Sequence, residues 1–437
     1  MTGAAHMAAG ALERLLRGEL PDPDGGPPLE VAVRAVAIER SLDGDEVGLV
    51  RALGLGGRLA VVSDPDTHAA LGERVERALR SGFAVESIRL GHRPAPDEDT
   101  AGRIETAAAG ADALVAVGSG TINDLCKLAA ARLDRPYVVF ATAPSMNGYT
   151  AATASIAAEG VKRSLLARAP AGAFFDLSVL CRAPVRLIRA GVGECVCRPT
   201  AQADWLLAHL LLDRPYREAP FALLAADEPE LYAHADAAAA GDADMMARLV
   251  RLLVLSGFGM ALCGSSEPAS QGEHMLTHYL EMMFPDGAHA AHHGEQTGVC
   301  AVAMAELQGR LLGEAELPPL RPSRVTEADL VAEFGPERGA AAWARFARKL
   351  LDGDVAAAVG QRLARWSELR ARLAEVARPA AELRAVLARA GGATRPEDVG
   401  WSSEQFDRAV RGARLVRDRF TFLDLAAELG FLAAAAS

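Results

Sequence analysis

The 437-residue sequence has few aromatic residues, 5% of the total, and no excess of basic residues. Its formal net charge of −11 argues against nucleic acid and against anionic membranes as partners, because both favour an extended basic surface. A small anionic substrate needs only a local basic pocket and stays compatible with this charge. No run of about 18 uninterrupted apolar residues occurs, so we expect no membrane-spanning helix.

The six cysteines are scattered, and none lies in a C-x-x-C pair. In a chain of this length such cysteines are typical of reduced core residues rather than of disulfides or zinc knuckles. The N-terminal segment carries acidic side chains and no long apolar run, which argues against a secretory signal. We therefore expect a cytoplasmic protein.

Short apolar runs alternate with helical patterns in the first part of the chain. Helical patterns occur, for example, at 68–82 and 122–134. The apolar runs end in turn residues and indicate buried strands at 58–64, 87–91, 113–120 and 137–144. Strands that alternate with helices predict a parallel sheet of β-α-β units.

The pattern changes near residue 184, where apolar residues begin to recur with a helical period. We predict an α/β domain with a parallel sheet over residues 1–183 and an all-α domain over residues 184–437. The acidic, alanine-rich segment 227–244 is expected to form a loop or a mobile helix.

Two polar loops follow the last two predicted strands. Gly118 and Gly120 precede the helical pattern at 122–134, where glycine allows close backbone approach and a helix N-terminus offers N–H groups to a phosphate. Asn123 stands where the third glycine of a G-x-G-x-x-G fingerprint would be, so phosphate binding and a simple turn both stay open. The second loop, 142–148, is rich in hydroxyl and amide groups, which favours ligand contact.

Three of the ten histidines fall close together, at positions 274, 278 and 293. His274 and His278 are one helical turn apart and therefore share a helix face. With the carboxylate of Glu194 they form a donor set typical of Zn²⁺ or Fe²⁺ sites. An isolated H-x-x-x-H pair is more often a pair of half-buried histidines bonded to carbonyl groups, so the spacing leaves both interpretations open.

Basic residues near these motifs are candidates for binding a phosphate. Each of them is more simply explained as an ordinary surface charge. They are Lys127, Lys162, Arg163 and Arg198.

Six blocks of sequence occur in order between about residues 58 and 432. They are GSGTINDLCKLAA, TAPSMNGYTA, GVGECVCRPTAQADW, GEHMLTHYLEM, HGEQTGV and RDRFTFLDLAAELG. Together they strongly resemble the sn-glycerol-1-phosphate dehydrogenase family, which belongs with iron-containing alcohol dehydrogenases, glycerol dehydrogenases and dehydroquinate synthases. The resemblance implies a dehydroquinate synthase-like architecture, with a Rossmann-like NAD(P) domain followed by a helical domain that holds a metal.

The resemblance also implies roles for individual residues. Glu194, His274 and His293 would bind the metal, while Asn147 and His278 would contact the substrate. Three protein ligands leave an open coordination position, as a catalytic metal requires. The residues that match the cofactor-binding stretches are Asp64, Gly118, Gly120, Thr121, Ile122, Asn123, Asp124, Thr142, Ala143, Pro144 and Ser145.

The sequence departs from the family pattern at the implied metal site and at the implied substrate site. Glu194 stands where the metal carboxylate is usually aspartate, as in the dehydroquinate synthase branch, and Asn147 replaces the aspartate of SMDGY. An amide can hydrogen-bond a substrate hydroxyl but cannot take its proton. Arg198 stands where lysine is common, and Ala151 where a cofactor-contacting serine is common.

The leading hypothesis is a metal-dependent NAD(P)-linked dehydrogenase. It would interconvert a small phosphorylated ketone resembling dihydroxyacetone phosphate and an alcohol resembling sn-glycerol 1-phosphate. One alternative is a dehydroquinate synthase-like cyclase or lyase that uses NAD transiently on a sugar phosphate, and another is a homologue that only binds nucleotide. We expect NAD or NADP, one divalent metal (zinc, with iron or nickel as alternatives), and a homodimer or larger homo-oligomer.

Overall fold

The computed structural model describes residues 3–158, 161–285 and 291–432. Their contacts divide the chain into two compact units. The first comprises Met1–Cys195 and Glu218–Ser266, and the second comprises Val196–Arg217 and Glu267–Ser437. The segment 218–266 thus belongs with the first unit. The predicted boundary at residue 184, between a nucleotide-binding domain and a metal- and substrate-binding domain, stays a prediction.

The first unit is built on a six-stranded sheet in which all neighbouring strands are parallel. Its strands are β1 (Ala35–Glu39), β2 (Arg58–Ser63), β3 (Ala84–Arg89), β4 (Ala113–Gly118), β5 (Tyr137–Ala141) and β8 (Gly172–Asp176). They lie in the order β1-β8-β5-β4-β2-β3. A separate antiparallel pair comprises β6 (Thr153–Ala158) and β7 (Val161–Leu166).

The parallel sheet predicted from the alternating pattern is confirmed, and all four predicted strands are present. The strand predicted at 87–91 was expected to be buried, but β3 is mostly exposed because it lies at the edge of the sheet. Every residue of β4 and of β5 is buried, as expected for a sheet covered by helices on both faces. Strands β1 and β8 of this sheet were not predicted from the sequence. β1 is short and only half-buried, and the run GAFFD of β8 contains no β-branched residue.

The strand order creates a switch point between β2 and β4. From β2 the chain moves outward to β3, and it then returns to the opposite side of β2 to form β4. In open parallel sheets, ligands bind in the crevice at such a point, beyond the carboxyl ends of the strands. The residues that directly follow β2 and β4 are therefore placed where a ligand is expected.

Helices make up most of the rest of the first unit. Segment 227–244, expected as a loop or mobile helix, instead contains two short helices and the start of a long one. The helices are Gly3–Leu16, Glu46–Ala52, Pro65–Thr67, Glu73–Leu79, Glu98–Ala107, Gly120–Arg132, Leu177–Leu180, Val185–Val196, Ala219–Ala222, Glu228–Ala233, Ala235–Ala239 and Ala243–Cys263, with a π-helical turn at His68–Gly72.

Helix Ala243–Cys263 is the one helix in the described residues that is long and apolar enough to cross a membrane. However, 61% of its most apolar stretch is buried inside the protein. A core helix has the same length and composition, so this feature is weak support for a membrane span.

In the second unit the described secondary structure is entirely helical. An apolar core that includes Tyr279, Phe346, Trp401 and Phe422 joins its elements. The α-helices are Arg198–Leu212, Gly272–Met283, His293–Gly313, Glu327–Phe334, Pro336–Phe346, Gly353–Leu363, Trp366–Val376, Ala380–Arg389, Ser403–Gly412 and Phe422–Glu428; 3-10 turns lie at Glu267–Ala269, Ala347–Lys349, Pro396–Val399 and Ala413–Val416.

The buried carboxylate of Asp204 ties together several helices of this unit. Its Oδ2 accepts from the backbone N–H of Gly272 at 2.9 Å, and its Oδ1 accepts from that of Phe422 at 2.9 Å. Gln308 donates to the same Oδ1 at 3.2 Å. Since Gly272 and Phe422 are the first residues of their helices, Asp204 satisfies N–H groups that a helix leaves unpaired.

We expect replacement of Asp204 by alanine to destabilise the second unit. Asp204→Ala leaves two buried backbone N–H groups without their acceptor, and the free energy of unfolding should fall by about 3 kcal/mol. Urea titration measures this change, with Asp407→Ala at an exposed position as the control. Equal stability of the two variants would contradict the role given to Asp204.

Candidate cofactor loops and histidine cluster

The loop after β4 presents the start of a helix at the switch point. Helix Gly120–Arg132 follows Ser119, whose side chain makes no capping hydrogen bond. The first N–H groups of a helix lack partners within the helix, so this end is suited to an anion. Gly118 is required by packing, because a Cβ there would lie 2.5 Å from the Cβ of Ile122.

The loop after β5 lies directly beside it. Thr142 donates its backbone N–H to the carbonyl of Gly118 at 3.1 Å. A Cβ at Gly120 would approach the sulfur of Met146 to 3.1 Å. The two predicted cofactor stretches, 118–124 and 142–145, are therefore neighbours at one edge of the sheet.

The loop after β5 is held rigidly by close backbone contacts. A Cβ at Gly191 would lie 1.8 Å from the carbonyl oxygen of Pro144, and one at Gly257 would lie 2.6 Å from that of Asn147. Tyr149 also donates its hydroxyl to the carbonyl of Ala143 at 2.6 Å. Glycine at 191 and 257 thus allows two helices to press against the loop.

Lys127 is fully buried, which corrects its interpretation as a surface charge. Its Nζ donates to the carbonyls of Gly148 at 2.7 Å and Thr153 at 2.9 Å, and to Oδ1 of Asp124 at 3.3 Å. Burial lowers the pKa of Lys127, and the charge of Asp124 opposes this shift. Lys127 therefore fixes the end of the loop and is occupied by protein groups rather than by a phosphate.

The other basic candidates for binding a phosphate are Arg198, Lys162 and Arg163. Arg198 donates to Oε1 of Gln202 at 2.6 Å, so it is engaged within its own helix. The side chains of Lys162 and Arg163 lie outside the part of the structure that is described.

The side chains of Ile122, Asn123 and Asp124 are buried. Asn123 donates to Oδ1 of Asp124 at 3.1 Å, and Asp124 accepts the backbone N–H of Ser155 at 3.0 Å through Oδ2. These side chains shape the loop from inside, so a ligand at the start of this helix would meet the backbone N–H groups of its first turn.

Asp64 directly follows β2, on the other side of the switch point. Its Oδ1 accepts the backbone N–H of Thr67 at 2.8 Å and so caps the short helix Pro65–Thr67. The structure thus gathers Asp64, Gly118 to Asp124, and Thr142 to Ser145 at the carboxyl edge of β2, β4 and β5.

The three histidines singled out from the sequence form a cluster in the second unit. The ring centroids of His274 and His293 are 5.4 Å apart, and His278 lies 6.0 Å from His274 and 5.4 Å from His293. His274 and His278 come from helix Gly272–Met283, and His293 is the first residue of the next long helix.

Carboxylates orient two of these rings. Nδ1 of His274 lies 2.9 Å from Oε1 of Glu273, and Nδ1 of His293 lies 3.0 Å from Oε1 of Glu281. Burial raises the pKa of Glu273, but its hydrogen bond with His274 and the charge of that ring outweigh this effect and bring the pKa below its ordinary value. In proteins, histidines that bind a metal through Nε2 commonly have a carboxylate at Nδ1.

Ligand atoms of His278, Glu281 and His293 also lie within 4.8 Å of one another. Glu281 already engages Nδ1 of His293, which fits an orienting role better than direct ligation. Glu194 is buried, with 6% of its surface exposed, near the end of helix Val185–Val196 in the first unit. Its participation with the histidines stays a prediction.

Known proteins resemble this chain over much of its length. A glycerol-1-phosphate dehydrogenase of Thermococcus kodakarensis is 34% identical over 278 residues, which cover 63% of this chain and 78% of the relative. The chain belongs to the glycerol-1-phosphate dehydrogenase family. A relative of the same name from Geobacillus stearothermophilus is 31% identical over 86% of this chain and 88% of its own.

Two further comparisons agree with this family. Residues 37–184 match the model of iron-containing alcohol dehydrogenases. The solved alcohol dehydrogenase of Oenococcus oeni shares the fold with a TM-score of 0.59 and 16% identity, over 90% of this chain and 94% of the other. The resemblance and the predicted architecture are confirmed, and membership of this family supports a metal- and NAD(P)-dependent oxidoreductase over the cyclase.

Several polar residues around the histidines had no predicted role. Glu273 and Glu281 orient the rings, and Arg417 contacts Nδ1 of His278 at 3.1 Å. Arg417 lies in the block RDRFTFLDLAAELG, which carried the family resemblance, but nothing in its spacing indicates a neighbour 139 positions earlier. The position of Glu273 next to His274 in the sequence was the one indication that a carboxylate lies beside a histidine ring.

Replacement of Gly191 by alanine should displace the loop after β5. The new Cβ would overlap the carbonyl oxygen of Pro144, a backbone atom with little freedom to move, and we expect a loss of stability of about 2 kcal/mol or more. Gly102→Ala is the matched control, because Gly102 also lies inside a helix and a Cβ there meets nothing within 4 Å. Thermal unfolding should separate the two variants; a Gly191→Ala protein as stable as the control would show that the loop adapts.

Proposed function

We propose that this protein reduces a small phosphorylated ketone of the dihydroxyacetone phosphate type to the corresponding sn-glycerol 1-phosphate-type alcohol. NAD(P)H transfers hydride to the carbonyl carbon and the oxygen gains a proton, which yields the alcohol and NAD(P)+. The observation that carries the proposal is the cluster of three histidines, two of them oriented by carboxylates, in a chain of this family.

The nucleotide would bind at the carboxyl edge of the parallel sheet. The uncapped first turn at Gly120 to Ile122 would receive the pyrophosphate, and Thr142 to Ser145 would line the same ligand. Asp64, across the switch point, would accept from the adenosine ribose. Support comes from the strand order and from the contact between Thr142 and Gly118.

A divalent metal would be held by Glu194, His274 and His293. The donor set suits zinc, with iron or nickel as alternatives, and in both histidines a carboxylate engages Nδ1, which is typical of histidines that bind a metal through Nε2. When bound, such an ion polarises a carbonyl oxygen and favours hydride transfer to the adjacent carbon. In this proposal Glu273 and Glu281 fix the ring orientation on which ligation depends.

The substrate would contact His278 and Asn147. A guanidinium group only donates, so Nδ1 of His278 accepts from Arg417 and the neutral ring carries its proton on Nε2. That N–H can donate to a substrate oxygen. The amide of Asn147 can both donate and accept, which suits a hydroxyl group but supplies no general base.

This proposal assigns the nucleotide to residues 1–183 and the metal and substrate chiefly to residues 184–437. We also propose a cytoplasmic location and a homodimer or larger homo-oligomer.

An assay of cofactor oxidation tests the proposed reaction. The purified protein, loaded with Zn²⁺, should oxidise NADH or NADPH stoichiometrically with dihydroxyacetone phosphate, and a chelator should abolish the reaction. As a control, metal is added back to the chelator-treated protein, which should restore the reaction. Product formation without net cofactor oxidation would identify a cyclase, and cofactor binding without turnover of any phosphorylated ketone would identify a nucleotide-binding homologue.

Replacement of His274 should remove the metal. His274→Ala deletes one of three proposed protein ligands, and we expect metal content and turnover to fall to background while the helical content is kept. Metal analysis of the dialysed protein measures the first effect without relying on activity. His234→Ala, at an exposed histidine in the first unit, is the control; full metal occupancy of the His274 variant would remove this residue from the proposed site.

A further inference from the structure

Arg417 lies beside the histidine cluster and bonds to two neutral groups there. Its Nη1 donates to Oγ of Ser270 at 2.9 Å, and its Nη2 contacts Nδ1 of His278 at 3.1 Å. Within the described parts of the chain, neither a hydrogen bond nor an ion pair links it to a carboxylate. A guanidinium has five N–H donors, and the two described bonds go to neutral groups.

Other positive charges surround this guanidinium. Burial, together with the charges of Arg419 and Arg345, lowers the pKa of Arg417 to about 9, although the carboxylates of Glu273 and Asp418 oppose this shift. Arg419 donates to the carbonyl of Ser270, so the two arginines meet at one residue. The carboxylates of Glu267, Asp418 and Glu273 act on Arg419, whereas the described hydrogen bonds of Arg417 go to neutral groups. A half-buried guanidinium of this kind is stabilised by a bound anion.

The chemistry of the proposed substrate brings an anion to this position. In a ketone of the dihydroxyacetone phosphate type, three covalent bonds separate the phosphorus from the carbonyl carbon. If the carbonyl group is held near Nε2 of His274 and His293, the phosphate must lie within a short distance of the cluster. Arg417 contacts the third histidine, His278, whose ring centroid is 5.4 Å from that of His293.

We propose that Arg417 binds the phosphate group of the substrate, with Arg419 as a second positive charge and Ser270 as the residue that holds both guanidinium groups. This inference rests on the proposed function, because it identifies which end of a phosphorylated ketone lies beside His278. It also gives the acidic chain the local basic pocket that an anionic substrate requires. A planar guanidinium can present two parallel N–H groups to phosphate oxygens, which lysine cannot do.

Kinetics with a pair of substrates test the proposal. Arg417→Met in the metal- and cofactor-loaded enzyme should reduce kcat/KM for dihydroxyacetone phosphate by about 100-fold, the effect of losing two charge-assisted hydrogen bonds. The value for unphosphorylated dihydroxyacetone, which is affected only through the lost contact with His278, should fall at least about tenfold less. Arg411→Met, which removes an exposed charge nearby in sequence, is the matched control. Equal losses on both substrates would overturn the proposal and leave Arg417 as a support for His278.

A direct binding measurement separates this inference from the proposed reaction. Inorganic phosphate, titrated into the metal-loaded protein by calorimetry, should bind the wild-type protein and the Arg411→Met variant but bind Arg417→Met at least about tenfold more weakly. This result would support the site even if dihydroxyacetone phosphate is not turned over. Unchanged phosphate affinity in Arg417→Met would overturn the site even if the wild-type enzyme is an active dehydrogenase.

A second variant covers the case in which methionine prevents folding. Arg417→Lys keeps the charge and loses the paired donors, so phosphate binding should weaken by about tenfold and retain its dependence on ionic strength. Affinity equal to that of the wild-type protein would show that the guanidinium itself does not bind the phosphate.

Discussion

The common direction of the strands is the constraint on which the first unit depends. Because all neighbouring strands are parallel, the residues after β2, β4 and β5 must emerge at one edge of the sheet. The reversal of strand order between β2 and β4 opens a crevice at that edge. A glycine loop, a hydroxyl-rich loop and an aspartate, which are widely separated in sequence, are thereby brought to one place.

The loop after β5 is held by contacts to its backbone carbonyl groups. Lys127, Gly191 and Gly257 all bind or touch carbonyl groups of the segment 144–153. A buried ammonium with three acceptors and two glycines against backbone oxygens leave the loop little freedom. Such rigidity lowers the entropy lost when a ligand binds, because the backbone is already ordered.

In the second unit, the buried side chain of Asp204 holds backbone N–H groups in place. Burial, together with the charge of nearby Glu273, raises the pKa of Asp204 to about 8, although the N–H groups of Phe422 and Gly272 and the side chain of Gln308 oppose this shift. Asp204 fixes the start of the helix that carries Glu273 and His274. The position of the histidine cluster thus depends on a carboxylate that a ligand need not touch.

The sequence alone determined the fold class, the family and the identity of the three clustered histidines. Apolar patterns revealed four of the six strands of the parallel sheet and the helical C-terminal part, because each is a local pattern of residues. They did not reveal that Lys127 is buried, since a single lysine carries no periodic signal, nor that Asn123 and Asp124 point inward. The short strands β1 and β8 escaped detection because their stability comes from pairing with distant partners, not from local propensity.

Only the tertiary structure decided which polar groups meet. Arg417 and His278 are 139 positions apart, and Asp204 and Phe422 are 218 positions apart. Both contacts arise because an apolar core packs the helices of the second unit together, and the resulting geometry is not written in any local pattern. The sequence supplied the chemical groups of the candidate sites, and packing of the helices set the distances and orientations that let those groups act together.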